Sequence, residues 1–327
     1  MEIANSINED VGTKIPFAQA LEEGDLCAVK RAPKADFHRH AFFGTRIENV
    51  ERWLGYPLER PAFPMPGLKA MDDYAARVLG PHISSREAFE FTAAAAIGDA
   101  IEDGVQCLEM SFDVRSASHF KSGFAEFAST IQNLTERYRD RIDLRPELGI
   151  PRELVGDREI VRRIHAGIES GVFLSIDLYA DENACSVDAV IPIYRNASSA
   201  GMKLKAHVGE FGGAERVMET TEVLELDEIQ HGIAAAESPG VMQWLSENRI
   251  RLHICPSSNV MLGAVDSLPS HPIRVLFDHG VEVTVNTDDP MIFGQSVSQE
   301  YMNLFEAGVF SADELNEIRS GSLATRS

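Results

Sequence analysis

The chain has 327 residues, 44% hydrophobic and 25% charged, the composition of an ordinary folded domain. Lys+Arg 30 against Asp+Glu 51 leaves a net charge of −21, which argues against nucleic acid or an anionic membrane as partner. No apolar run could span a bilayer, the start (MEIANSINEDVGTK) lacks the basic-then-apolar order of a signal peptide, and Cys27, Cys107, Cys185 and Cys255 form no CxxC pair. These features predict a cytoplasmic protein with reduced thiols, and they argue against a disulfide framework or a thiolate zinc site.

In chain order, residues 1–34 read as an N-terminal helical extension, with a helix over Phe17–Lys30 packed outside the main fold or across its bottom. The first strand candidate is Ala35–His40. An insertion follows over Thr45–Pro81, with prolines at 57, 61, 64 and 66, and its length marks it as either functional or disordered. Seven further strand candidates are Val105–Phe112, Ile142–Leu148, Val172–Leu178, Lys203–Val208, Asp227–His231, Ile250–Cys255 and Val281–Thr287. Amphipathic stretches such as Phe124–Arg139, Arg158–Ser170, Val187–Ala200 and Pro239–Glu247 lie between them, and Gly104, Gly171, Gly201 and Gly280 stand where helices need a stop. Eight strands alternating with helices predict a single α/β domain, a (β/α)8 TIM-type barrel over 35–327. Residues 45–81 then rise from the C-terminal face, where barrel active sites sit, as a lid.

Four polar clusters end the first, fifth, sixth and eighth strands: DFHRH (Asp36–His40), HVGE (His207–Glu210), QHG (Gln230–Gly232) and NTDDP (Asn286–Pro290). Alternation puts His38 and His40 on one face, about 6.6 Å apart along the strand, and Phe37 and Arg39 on the other. Two imidazoles so placed chelate one ion if their rings tilt together, and His207 and Asp288 are candidates to complete a catalytic zinc set with one position left for water. A lone HxH is weak evidence, and the DD pair alone also reads as a helix N-cap before Pro290. The coincidence of four clusters, each ending a strand of one architecture, favours the site. His82, His119, His165, His253, His271 and His279 read as structural or surface histidines. On the eighth strand Asn286, Thr284 and Glu282 share a face, with Val281, Val283 and Val285 opposite. The same counting puts Asp36 beneath His38 and Lys205 beneath His207, which predicts that Asp36 holds Lys205 below the metal.

With these motifs in order, joined by CPSSNVMLG (Cys255–Gly263) and NTDDPMIFG (Asn286–Gly294), the chain resembles the adenosine/AMP deaminase family of metal-dependent amidohydrolases. The resemblance runs from DFHRH to IRSGSLATRS. It implies a barrel holding one Zn2+ per chain that hydrolyses an exocyclic amine from a purine-like ring and releases ammonia. His38, His40, His207 and Asp288 resemble the family's zinc ligands. Glu210 matches the acid that protonates the ring nitrogen, His231 the residue that orients the water and takes its proton, and Asp289 the residue that grips the imidazole side of a purine. Ala180 stands at a glycine whose main chain contacts the ring. The chemistry requires these types: bulk water is a poor nucleophile, zinc lowers its pKa from 15.7 towards about 7, and the ring nitrogen must gain a proton as aromaticity is lost. Glu210 must therefore be neutral, which burial favours.

One departure bears on the substrate. After HxH the family has Leu, then Asp, Glu or Asn, then Gly; here the run is Ala41-Phe42-Phe43-Gly44. Phe42 or Phe43 then presents an apolar ring to the sugar end of the pocket, so adenosine, a modified adenosine and a free aminopurine all stand as substrates. Two other readings compete. One is an amidohydrolase that cleaves an amide or ester with two metals, for which Asp177 is the available bridge. The other is a catalytically silent scaffold. The PCxxC motif of the small cytidine-deaminase type is absent.

Overall fold

The computed structural model describes residues 15–324; residues 1–14 of the predicted extension, and the last three of the barrel, lie outside the described residues. Eight parallel strands form one sheet in sequence order: β1 Lys34–His40, β2 Val105–Asp113, β3 Asp143–Pro151, β4 Ser175–Tyr179, β5 Lys203–Val208, β6 Glu228–His231, β7 Arg251–Ile254 and β8 Val283–Val285. The sheet turns back on itself through a bridge between Arg39 and Asp288, where Asp288 N donates to His38 O at 2.9 Å and His40 N to Asp288 O at 3.2 Å. The seam of the (β/α)8 barrel thus runs through candidate site residues.

The predicted amphipathic stretches fold as the helices Phe124–Tyr138, Arg158–Glu169, Val187–Ser199 and Pro239–Asn248. Their apolar faces pack on the outward side chains of the strands; Phe112, Phe127, Ile164 and Ile176 are fully buried in that layer. Gly104 shows why a helix stop must be glycine here: its φ is +78°, and a Cβ would lie 2.1 Å from Lys30 O.

Two local expectations are corrected. The helix predicted over Phe17–Lys30 is two helices, Phe17–Glu22 and Leu26–Arg31, broken at Gly24 (φ +67°) and restarted by the Asp25 side chain, which accepts from Ala28 N at 2.9 Å. Within the insertion, Ile47–Leu54 and Leu68–Tyr74 are helical, and the second runs on as a π turn, Ala75–Leu79. Ile47, Val50, Met65, Met71 and Leu79 form an apolar cluster with Leu262, Met291 and Phe293.

The second correction concerns β1. Asp36 pairs with Leu108 but Arg39 with Met110, so β1 spends three steps where β2 spends two. This β-bulge reverses the side-chain phase between Phe37 and His38. Below it Phe37 faces the barrel interior, its ring 5.4 Å from that of His253. Asp36 faces the helix layer, accepting from Arg39 Nε at 2.9 Å and Thr287 Oγ1 at 2.7 Å. The predicted Asp36–Lys205 pair therefore does not form. Lys205 is bound instead by Glu109 and Glu147, with Glu228 Oε2 at 3.5 Å, in a fully buried ionic floor. The need for a partner was read correctly, but even alternation along β1 named the wrong one.

Candidate active site

Above this floor the bulge sets His38 and His40 side by side at the C-terminal mouth. His38 Nε2 lies 3.0 Å from His207 Nε2 and 3.5 Å from Asp288 Oδ1, and His40 Nε2 lies 3.3 Å from the same oxygen. The four predicted ligands thus converge from β1, β5 and the end of β8.

Hydrogen bonds on the far side of each ring fix what converges. His38 Nδ1 faces the His253 carbonyl at 3.2 Å and must donate to it, and His207 Nδ1 donates to Asp177 Oδ1 at 2.9 Å. With Nδ1 engaged on each ring, the two Nε2 atoms face each other, with the Asp288 carboxylate alongside. Burial drives His38 down to about 3 against the pull of Asp288, so this ring stays neutral. For His40 burial opposes charge, but Asp289, Asp288 and Asp177 outweigh it and raise the ring to about 10. Three imidazole Nε2 atoms and one carboxylate oxygen thus meet at one point. Imidazole and carboxylate are borderline donors that suit a divalent transition metal.

Glu210 and His231 border the same point. Glu210 Oε2 lies 3.5 Å from His231 Nε2, and Oε1 accepts from Asn259 Nδ2 at 2.9 Å. Burial pushes the Glu210 carboxyl well above its usual range, and Asp288, Glu182 and Asp289 push it further. Burial likewise holds His231 neutral. Its tautomer is set at a distance. Ile273 N donates to His271 Nδ1 at 3.0 Å, so His271 Nε2 donates to Asn259 Oδ1 at 3.3 Å. The Asn259 amide nitrogen is thereby aimed at His231 Nδ1, 3.2 Å away, which leaves the His231 proton on Nε2.

Asp289 precedes the helix Pro290–Phe293, as the capping alternative required, yet its side chain makes no capping bond. Its Oδ1 is buried without a partner, and burial, with Asp288 adding to it, raises the carboxyl well above the ordinary range. Backbone strain gathers here too. Ala180 (φ +73°), His231 (φ +64°) and Asp288 (φ +62°) are left-handed, whereas the other two such non-glycine residues among the described residues, Glu225 and Arg249, merely end helices.

A cavity of about 610 Å³ opens over these groups and is lined by His40, His207, Glu210, His231, Asp288, Asp289 and Ala180 together with both Phe42 and Phe43. Leu68, Met71, Asp72 and Ala75 of the insertion form one wall, with Asp113, Arg115, Ser116, His119, Glu153 and Tyr179 opposite. Every predicted site residue therefore reaches one place. Sequence reading missed Asn259 and Glu182. The only available signal for Asn259 was its place in CPSSN, and for Glu182 its place in DLYADE. Asp177, read as a possible metal bridge, is spent on His207 and on Ser111 Oγ at 2.9 Å.

A parallel eight-stranded barrel with imidazoles and carboxylates gathered at its C-terminal mouth has the layout of a metal-dependent hydrolase. The adenosine deaminase family model matches residues 78–325, and the chain belongs to that family, within the amidohydrolase superfamily, as a hydrolytic C–N deaminase. A relative from Treponema pallidum (strain Nichols), whose name covers adenosine and adenine deamination, is 34% identical over 85% of this chain and 93% of its own. Among solved structures, the adenine deaminase of Arthrobacter aurescens superposes with a TM-score of 0.77 at 24% identity, covering 89% of this chain and 93% of that one. An amidohydrolase from Burkholderia ambifaria with bound Zn gives 0.70 at 19% identity, covering 95% and 99%. Among the described residues no helix is long and apolar enough to cross a membrane.

Proposed function

We propose that this chain is a zinc-dependent aminohydrolase of unphosphorylated 6-aminopurines, a free base or a nucleoside, acting as one site per chain with one Zn2+ in a cytoplasmic setting. The carrying observation is the convergence of the His38, His40 and His207 Nε2 atoms on the Asp288 carboxylate, next to the Glu210 carboxyl that burial raises well above its usual range. His38, His40, His207 and Asp288 would hold the ion. Bound there, zinc supplies a water of lowered pKa at neutral pH.

The chain's own groups account for the rest. Glu210, neutral by burial, donates its proton to the ring nitrogen beside the attacked carbon. His231 presents Nε2–H, so in this state it orients the attacking oxygen and stabilises charge on it; the proton-accepting half of its expected role needs the other tautomer. The ionised Asp288 carboxylate, held well below its usual range by its hydrogen bond with His40 in spite of burial, is the acceptor at hand. Asp289, protonated and unpartnered, is suited to donate to an imidazole-side nitrogen of a purine. Ala180 offers backbone N–H at the ring edge, and Phe42 with Phe43 gives an apolar wall.

The exclusion of phosphate follows from charge. Asp72, Asp113 and Glu153 line the cavity away from the ligand cluster, and Arg115 is bound through Nε by Asp113 at 2.6 Å. A 5′-phosphate would meet carboxylates without a free cation cluster. The insertion wall, Leu68 to Ala75, serves as the lid that excludes water. The two-metal amide or ester reading loses its bridge, because Asp177 is engaged on both oxygens. Ammonia release from adenine, adenosine, a 5′-modified adenosine and AMP tests the assignment. Turnover of at least one of the first three, and none of AMP, is expected; AMP as the best substrate would refute it.

A further inference from the structure

The turn that carries Glu210 is organised by a residue outside the chemistry described so far. Glu182, in the loop after β4, is 6% exposed. Its carboxylate accepts four successive backbone N–H groups: Gly209 on Oε2 at 2.8 Å, then Glu210, Phe211 and Gly212 on Oε1 at 3.1, 3.0 and 3.3 Å. Successive amides curled around an anion form a nest, the concavity that elsewhere binds phosphate. Here the protein fills it with its own carboxylate. Arg216, from the helix that follows the turn, donates to Glu182 O at 2.7 Å and to Asn183 Oδ1 at 2.6 Å, tying the two loops together. Gly209 (φ +73°) completes the turn at a point where a Cβ would lie 2.3 Å from Val217 Cγ2.

We propose that Glu182 is a positioning residue for deamination, fixing the 209–212 turn so that the Glu210 carboxyl meets His231 and Asn259 in reacting position. This rests on the reading of Glu210 as the ring acid.

Two variants disturb the nest in different ways. Glu182→Gln removes the charge and one acceptor. Gly212→Ala keeps the charge but puts a methyl 2.8 Å from Glu182 Oε2, displacing the carboxylate from the nest. Both are assayed as zinc-loaded holoenzymes on whichever aminopurine the wild type turns over. Expected in Glu182→Gln are unchanged zinc content, kcat lower by about 100-fold, KM within about threefold, and amide exchange at 209–212 faster by about tenfold. Gly212→Ala is likewise expected to lose kcat and amide protection at 209–212 with KM little changed. Unchanged exchange, or kcat near wild type in both, overturns the proposal, as does loss through KM alone. If Glu182→Gln fails to fold, Gly212→Ala decides on the same kinetic and exchange readouts. An active Glu210→Gln enzyme would instead remove the acid assignment, and the exchange data would still report whether Glu182 holds the turn.

Discussion

Glu300 gives a quantitative test of how the site is supported. It is buried in the helix Val297–Glu306, and its Oε2 accepts from Ser257 N at 3.2 Å and Ser257 Oγ at 3.0 Å. Ser257 sits in the short helix Pro256–Met261 beside Ser258, which donates to Asp288 at 2.6 Å, and Asn259, which holds Glu210 and His231. Burial raises Glu300 to about 8, in spite of the two Ser257 bonds that favour the ionised form. With the folded value above the unfolded 4.5, the folded state keeps its proton while the unfolded state gives it up. Stability from this group is therefore fully present below pH 4.5 and lost as pH rises towards 8. At pH 7 the gap is 2.5 pH units, or about 3 kcal/mol at 1.36 kcal/mol per unit. Glu300→Gln keeps an oxygen for Ser257 and carries no proton-linked penalty. Urea unfolding from pH 4 to 8 should show the variant gaining on wild type by about 3 kcal/mol between pH 4 and 7. A pH-independent difference, or a variant that falls further behind as pH rises, would refute the burial argument.

Two further outcomes follow from the same geometry. Asp177→Asn keeps an acceptor for His207 Nδ1 but removes the charge, and chelator competition should show zinc affinity falling by about 10- to 100-fold; unchanged affinity would mean that Asp177 does not tune His207. Ala180→Gly relieves a left-handed alanine at φ +73° and should stabilise the fold by about 1 kcal/mol in the same unfolding assay; a destabilised variant would show that the site needs the methyl for packing.

The parts of the site legible in the sequence were those that depend on residue type and strand order. His38, His40, His207 and Asp288 were found because each closes a strand-like run, and strand ends on one face of a barrel must meet. Alternation worked on β8, where Val283 and Val285 lie in the outer apolar layer and Asn286 turns inward to bond Thr284 Oγ1 at 2.9 Å. It failed on β1, because a bulge is a matter of register against β2 and leaves no mark in DFHRH itself. Lys205 consequently received the wrong partner, although its need for one was evident. Glu182 and Asn259 were hidden for another reason. Their work is done through backbone amides and a neighbour's tautomer, which no pattern of residue types displays.

The central claim is that four ligands hold one zinc beside a neutral acid. It is tested most directly by measuring metal content and ammonia release in parallel for wild type and Glu210→Gln. Wild type should carry one zinc per chain and release ammonia from an unphosphorylated aminopurine, and the variant should carry the same zinc and release none. Loss of zinc from the variant, or ammonia release near the wild-type rate, would contradict the account.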